Sequence, residues 1–162
     1  MSVTGNVPAT AEPRTMLGIQ VMNRTSQTIS AGSQIIVIGS ATPMIVFNTD
    51  PYGSWDMVSY RYTCGRSAYY RITYKVNVVI LGSNALAFYV SDGTNSHLLQ
   101  TVTGTLAAPA TSNYCFSGSE VIYLTSGTTL QFMYDAAAGG GLITTSSPTQ
   151  DGTILEIIYE GD

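Results

Sequence analysis

The clearest pattern in the chain runs from Tyr69 to Ile80. Tyr70, Ile72, Tyr74, Val76, Val78 and Ile80 hold the even positions, and Tyr69, Arg71, Thr73, Lys75, Asn77 and Val79 the odd ones. A β-strand points successive side chains to opposite faces. This alternation therefore predicts a half-buried strand with an apolar core face and a polar, basic, aromatic outer face. The extended stretch is expected to begin upstream at Tyr60, and it contains Arg61, Arg66, Arg71 and Lys75, four of the six cationic residues.

The pattern recurs along most of the sequence. Leu17, Ile19 and Val21 alternate with Gly18, Gln20 and Met22, and Asn23 to Gly32 is turn-rich. Ile35 to Ile38 and Met44 to Phe47 are short apolar runs separated by a turn over Ser40 to Pro43, and Pro51 to Gly53 marks a turn before Trp55 to Thr63. Gly82 to Asn84 reads as a hairpin turn, followed by Leu86, Phe88 and Val90 on one face. Asp92 and Gly93 begin a second turn, with a loop expected as far as His97 and an extended run towards Val102. Ala107 to Asn113 is a predicted loop, Val121 to Leu124 a strand, and Ser126 to Thr128 a turn; Leu130, Phe132 and Tyr134 form the next core face. Ala136 to Pro148, rich in Gly, Ser and Thr, is expected as a long surface loop, and Ile154 to Tyr159 as a closing strand. No segment carries a helical apolar period. About eight to ten short strands between turn signals predict an all-β sandwich or jelly roll, and the lack of an internal repeat argues against a propeller or β-helix.

Composition narrows the function classes. A chain of 162 residues fits one domain, and that length suffices for a core without staples. Only 10% of residues are charged, against about 25% in an average soluble protein, which suits neutral surfaces partly covered by neighbours. The net charge of -4 argues against nucleic acid, whose phosphates need a basic footprint. No apolar run approaches the ~18 residues of a membrane span. After Lys75 the chain has no further cation, while Asp92, Glu120, Asp135, Asp151, Glu156, Glu160 and Asp162 follow. That asymmetry reads either as a solvated acidic end or as complementary charge between copies of the chain.

Residues 1 to 15 show neither period and include Pro8 and Pro13, so they are expected to form an extended arm ahead of a jelly-roll domain over residues 16 to 162. The arm has no basic start and no apolar core, so synthesis in the cytoplasm without a signal peptide is expected. Cys64 and Cys115 allow one bridge at most; in that setting free thiols, buried as small apolar residues, are expected.

With the strands in place, three local patterns resemble the globular head of complement C-one-q and its tumour necrosis factor-like relatives. Val46-Phe47-Asn48, followed by Trp55-Asp56, is similar to that superfamily's V-F-N strand and the aromatic-Asp pair after it. Tyr62-Thr63-Cys64 with Ala68-Tyr69-Tyr70-Arg71-Ile72 is similar to its F-T-C-P and G-Y-Y-x-F run; Ser117-Gly118, Leu124 and Gly127 are similar to its S-G and L-x-x-G-D positions. Gly65 stands where the pattern has Pro, Ala68 where it has Gly, and Thr128 where it has Asp. The resemblance covers about residues 16 to 160. It implies a ten-strand, two-sheet antiparallel jelly roll that trimerises, with one sheet lining the subunit interface. Tyr69, Arg71, Thr73 and Lys75 would then face neighbouring subunits, and aromatic residues and Arg are the types enriched at interface anchors.

Signs of chemistry are sparse. The one histidine, His97, has no triad arguable from spacing, and it makes no zinc-ligand pair with Cys64 or Cys115. Asp92 and Asp135 are candidate Ca²⁺ ligands, as carboxylates are in some relatives, although loop carboxylates more often serve solvated turns. Gly139-Gly140-Gly141 lacks the following Lys-Ser/Thr of a phosphate loop, and Asn23-Arg24-Thr25 is a glycosylation sequon without a secretory route. Trp55 and the tyrosines could form a sugar platform, with core and interface packing as the default. No cofactor and no enzymatic activity are expected. The expectation is a structural protein: a trimeric module on the surface of a larger particle, a virion decoration, cement or spike (minor capsid) component, reaching other subunits through its arm. The alternative is a receptor- or carbohydrate-binding adhesive head using loops that carry Asp92, Asn95, His97 and Asp135.

Overall fold

The computed structural model describes residues 17–23, 26–38, 44–48, 51, 53–80, 85–102, 113–143 and 153–162. Thirteen strands fall within them: β1 (Gly18–Asn23), β2 (Gln27–Thr28), β3 (Gly32–Ile35), β4 (Met44–Asn48), β5 (Gly53–Asp56), β6 (Arg61–Cys64), β7 (Ala68–Ile80), β8 (Leu86–Ser91), β9 (Ser96–Val102), β10 (Asn113–Leu124), β11 (Thr129–Ala136), β12 (Gly141–Ile143) and β13 (Thr153–Gly161). Every pairing among them is antiparallel. The arm over residues 1–15, the turns at 40–43 and 82–84, the loop at 107–112, Arg24 and Thr25 of the sequon, and Thr144 to Pro148 of the expected last loop lie outside the described residues.

The strands make two sheets, the all-β two-layer arrangement the alternation predicts. The larger runs β2-β12-β7-β13-β1-β4, with β10 on the opposite side of β7; the smaller runs β5-β6-β11-β8-β9, with β3 also on β11. Thirteen-residue β7 organises the larger sheet. It pairs along its length with β10 on one side, and with β13 and then β12 on the other.

The even residues of β7 are the core face. Ala68, Tyr70, Ile72, Tyr74, Val76 and Val78 are buried, and they meet Tyr62, Leu86, Phe88, Val90, Leu130, Phe132 and Tyr134 of the smaller sheet in one cluster. A core rich in tyrosine holds because the hydroxyls find partners. Tyr70 Oη donates to Arg66 O at 3.0 Å, Tyr74 Oη donates to Leu99 O at 3.1 Å, and Tyr134 Oη accepts from Ser30 N at 3.0 Å. Tyr74 reaches from one sheet to the other across Gly118, where a Cβ would stand 2.7 Å from its hydroxyl. The glycine is there for room, as glycines inside strands often are.

Several sequence expectations change. The stretch from Tyr60 to Ile80 is two strands in different sheets, β6 in the smaller and β7 in the larger, because the chain crosses between layers at residues 65–67. That crossing is stitched to the β10–β11 turn: Cys64 N donates to Thr128 O, Gly127 N to Cys64 O, Ser126 Oγ to Gly65 O and Ser126 N to Ser67 Oγ, all within 2.7–2.9 Å. β10 begins at Asn113 rather than at Val121, and Ser117 and Ser119 are an outer-face serine pair around the packing glycine. The first extended segment after Asn23 to Gly32 is β3, which ends at Ile35; Ile36 N still donates to Phe132 O at 2.8 Å. Residues 141–143, expected in a loop, are β12, and His97 lies in β9 opposite Val90. Of the two free thiols, Cys64 is buried as expected and Cys115 is exposed, because its register position opposite Asn77 puts it on the outer face.

A candidate assembly face on the larger sheet

The odd residues of β7 point away from the core, and register aligns them with the odd residues of β10 and the even residues of β13. Tyr69 lies opposite Tyr123, Arg71 between Val121 and Ile158, Thr73 between Ser119 and Glu156, and Lys75 between Ser117 and Ile154. One surface therefore carries all four residues singled out in the sequence. Its two ends differ in chemistry.

At the end where β7 begins, Tyr69, Val121 and Tyr123 are each about half exposed, and the two tyrosine rings meet edge to face with centroids 5.2 Å apart. Ring pairs in this geometry are favourable beyond their burial alone. Arg71 Nη2 pairs with Glu160 Oε1 at 2.9 Å. Arg66 pairs with Asp162, its guanidinium stands 5.7 Å from the Tyr159 ring centroid, and Tyr159 Oη donates to Asp162 Oδ1 at 3.1 Å. Charge complementarity thus operates within the chain for these two arginines. The antiparallel pairing of β13 with β7 carries the acidic C-terminal residues back to the basic strand, so for these pairs the idea of matching charge between copies is replaced by matching inside one copy. Further along, the surface turns small and polar, with Thr73 Oγ1 and Ser119 Oγ 3.2 Å apart and Gln20 Nε2 donating to Glu156 Oε1 at 3.4 Å.

The loop candidates separate. Asp92, Asn95 and His97 belong to the turn between β8 and β9. Asp92 Oδ1 accepts from Thr94 N at 2.8 Å and Asn95 N at 2.5 Å, and Oδ2 accepts from Asn95 Nδ2 at 3.1 Å. These bonds, led by those from Asn95, hold the Asp92 carboxyl down at about 2. His97 Nε2 stands 3.8 Å from Asp92 Oδ2. Both carboxylate oxygens are occupied in closing the turn, the role loop carboxylates commonly play. Asp135 lies opposite Ala87, whereas Ser91, beside Asp92, lies opposite Gln131. Ala87 to Asp92 spans five residues, which holds the two aspartates roughly 16 Å apart along the strands. No group of three or more His, Cys, Asp or Glu placed to hold a metal exists among the described residues.

Sequence reading missed one exposed feature, the β5–β6 turn. Its Met57 and Val58 are 47% and 87% exposed. Asp56 fixes that turn by accepting from Val58 N at 2.8 Å and Ser59 Oγ at 2.6 Å, and Tyr60 sits at φ 53°. The signal was Asp56 three residues before Ser59, a side-chain-closed turn.

The path of the two sheets has counterparts among solved structures. The chain superposes on Eiger, a tumour necrosis factor of S. frugiperda, with a TM-score of 0.61 and 10% identity, over 92% of this chain and 95% of that one. Murine APRIL matches with TM-scores of 0.57 in crystals at pH 8.5 (10% identity) and 0.58 at pH 5.0 (9% identity), each over 90% of this chain and 99% of that one. The fold is the tumour necrosis factor-like jelly roll. No protein-family model matches the sequence, and no curated protein matches it. At about 10% identity the jelly roll is what is shared; what this one does rests on its own surfaces.

Proposed function

We propose that the chain is a non-enzymatic structural module: a homotrimer formed through the outer face of the larger sheet and carried on the surface of a larger particle, as a virion decoration, cement or spike component. The observation that carries the reading is that face, where Tyr69, Val121 and Tyr123 stand half exposed beside the Arg71–Glu160 pair. Aromatic residues and Arg anchor interfaces, while Lys, Glu and Asp are depleted there. The tumour necrosis factor-like jelly roll and the low charge content, 10%, are consistent with a subunit covered by its neighbours.

Sedimentation velocity of the purified chain tests the trimer, and a clean monomer at micromolar concentration sinks it. Arg71→Glu sets a second carboxylate against Glu160 and is expected to lower the trimer fraction at least tenfold while the circular dichroism spectrum stays that of the parent. For the particle, deleting residues 1–15 is expected to leave the trimer intact and abolish incorporation into the native particle, as seen by imaging; unchanged incorporation refutes the arm's role. The rival reading is a receptor- or glycan-binding head. It is favoured by the rigid turn at Asp92, which presents Asn95 and His97 on a fixed frame, and glycan-array binding lost on exchange of residues 92–97 would support it.

A further inference from the structure

Among the described residues, β10 forms an open edge of the larger sheet. Within them it pairs with β7 alone, in unbroken register from Asn113 opposite Val79 to Leu124 opposite Ala68. Among the described residues, the backbone groups along its twelve residues that point away from β7 have no ladder partner. Edges of this kind template pairing with another chain, and proteins blunt them with Pro, Lys, bulges or an inward-pointing charge. β10 has no Pro, no Lys and no bulge against β7. Its one charged residue is Glu120. Glu120 lies opposite buried Ile72, hence on the core-facing side of the sheet, and yet it is exposed.

We propose that the β10 edge is a pairing surface for the β10 edge of a second copy of this chain, and that the Glu120 carboxylate holds this pairing off. Length selects the occupant: among the described residues the other edge strands β2, β3, β4, β5 and β9 have two, four, five, four and seven residues, whereas a second β10, twelve residues long, overlaps eleven of them with like faces together. Antiparallel pairing keeps like faces together, so the two fullest overlaps centre on Gly118 or on Ser119. Centred on Ser119, each Glu120 lies opposite the Gly118 of the other copy. The two carboxylates become diagonal neighbours on one face, roughly 7–8 Å apart, within the ~8 Å over which salt leaves charges unscreened. Gly118 offers them no side-chain partner, and the added strand strips water from both. Neutralising the residue leaves an unobstructed edge.

The test uses the full chain with Cys115→Ser, which removes disulfide crosslinking through the exposed thiol. On that background Glu120→Gln and Glu120→Lys are compared at neutral pH by sedimentation velocity and by hydrogen exchange. The Gln variant is expected to show at least a twofold rise in mass over its parent, whatever the parent's own oligomeric state, with slowed exchange confined to residues 113–124. The Lys variant, which restores a charge to the edge, is expected to keep the parent mass. A Gln variant at the parent mass, a mass rise without protection of β10, or an equal rise in the Lys variant each overturns the proposal.

Discussion

Gly118 offers the sharpest test of how the two layers are joined. Its ideal Cβ would lie 2.7, 2.9 and 3.0 Å from Tyr74 Oη, Cε1 and Cζ, so Gly118→Ala forces the Tyr74 ring to move. The ring is not free to do so cheaply, because it is buried and its hydroxyl donates to Leu99 O in the opposite sheet. Overpacking of this kind costs about 1–3 kcal/mol, and a lost hydrogen bond adds about 0.5–1.5 kcal/mol. Against that, alanine in place of glycine recovers about 0.5–1 kcal/mol of backbone entropy. The net expectation is a loss of about 1–3 kcal/mol, which at this chain length lowers Tm by roughly 2–12 °C. Urea denaturation of the four members of the cycle Gly118→Ala with Tyr74→Phe gives the decisive number. Removing Oη deletes the closest contact, so the alanine is expected to cost about 1 kcal/mol less in the Phe background, a coupling of the size neighbouring residues show. If the two substitutions add without coupling, the glycine is not there to let Tyr74 cross.

Three further outcomes follow from the same structure. Ile72→Ser places a hydroxyl in the centre of the core and removes a fully buried side chain, for an expected loss of about 3–5 kcal/mol, read as a collapse of the urea midpoint; Thr73→Ala, one residue away on the outer face, is expected to shift it by less than about 1 kcal/mol. Asp92 is held at about 2 by its turn hydrogen bonds, below the ~3.9 of a free Asp. A depressed carboxyl contributes stability that is present above the unfolded value and lost as pH falls through the folded one. The advantage of the parent over Asp92→Ala is therefore expected to be constant above about pH 5 and to vanish as pH falls towards 2, and an advantage that persists there would falsify the assignment. Finally, a thiol reagent is expected to titrate Cys115 alone in the folded chain and Cys64 only after unfolding; prompt reaction of both would contradict the burial of Cys64.

How far the sequence carried the structure depends on what each residue's signal consists of. The core face of β7 was legible because alternation is a local property of a strand, and every even residue from Tyr70 to Val78 is buried. The crossing at residues 65–67 was not, since nothing local says that Tyr62 and Tyr70, both apolar-face residues of one stretch, belong to opposite layers. The motifs around Cys64 and Gly127 did mark that corner, because they supply the two halves of one hydrogen-bonded stitch. β12 was missed for a different reason: three residues within a Gly- and Ser-rich stretch carry no period, and only pairing to β7 and β2 makes them a strand. At the candidate face the strand's own residues were readable. Their partners Val121, Tyr123 and Glu160 were not, because they are placed by register between strands far apart in sequence.

The sheet order also fixes a timetable. β13 lies between β7 and β1 in the larger sheet, yet among the thirteen described strands it comes last in chain order and so is made after the others. Until Thr153–Gly161 emerges, β1 and β4 have no β7-side neighbour to join, and the edge of β7 from Tyr69 to Lys75 waits for its hydrogen-bonding partner. Long-range strand pairing of this kind is slow and leaves apolar surface open in the interval. A nascent or truncated chain lacking those final residues is therefore a client for chaperones, whereas the same chain a few residues longer can close its sheet in one insertion.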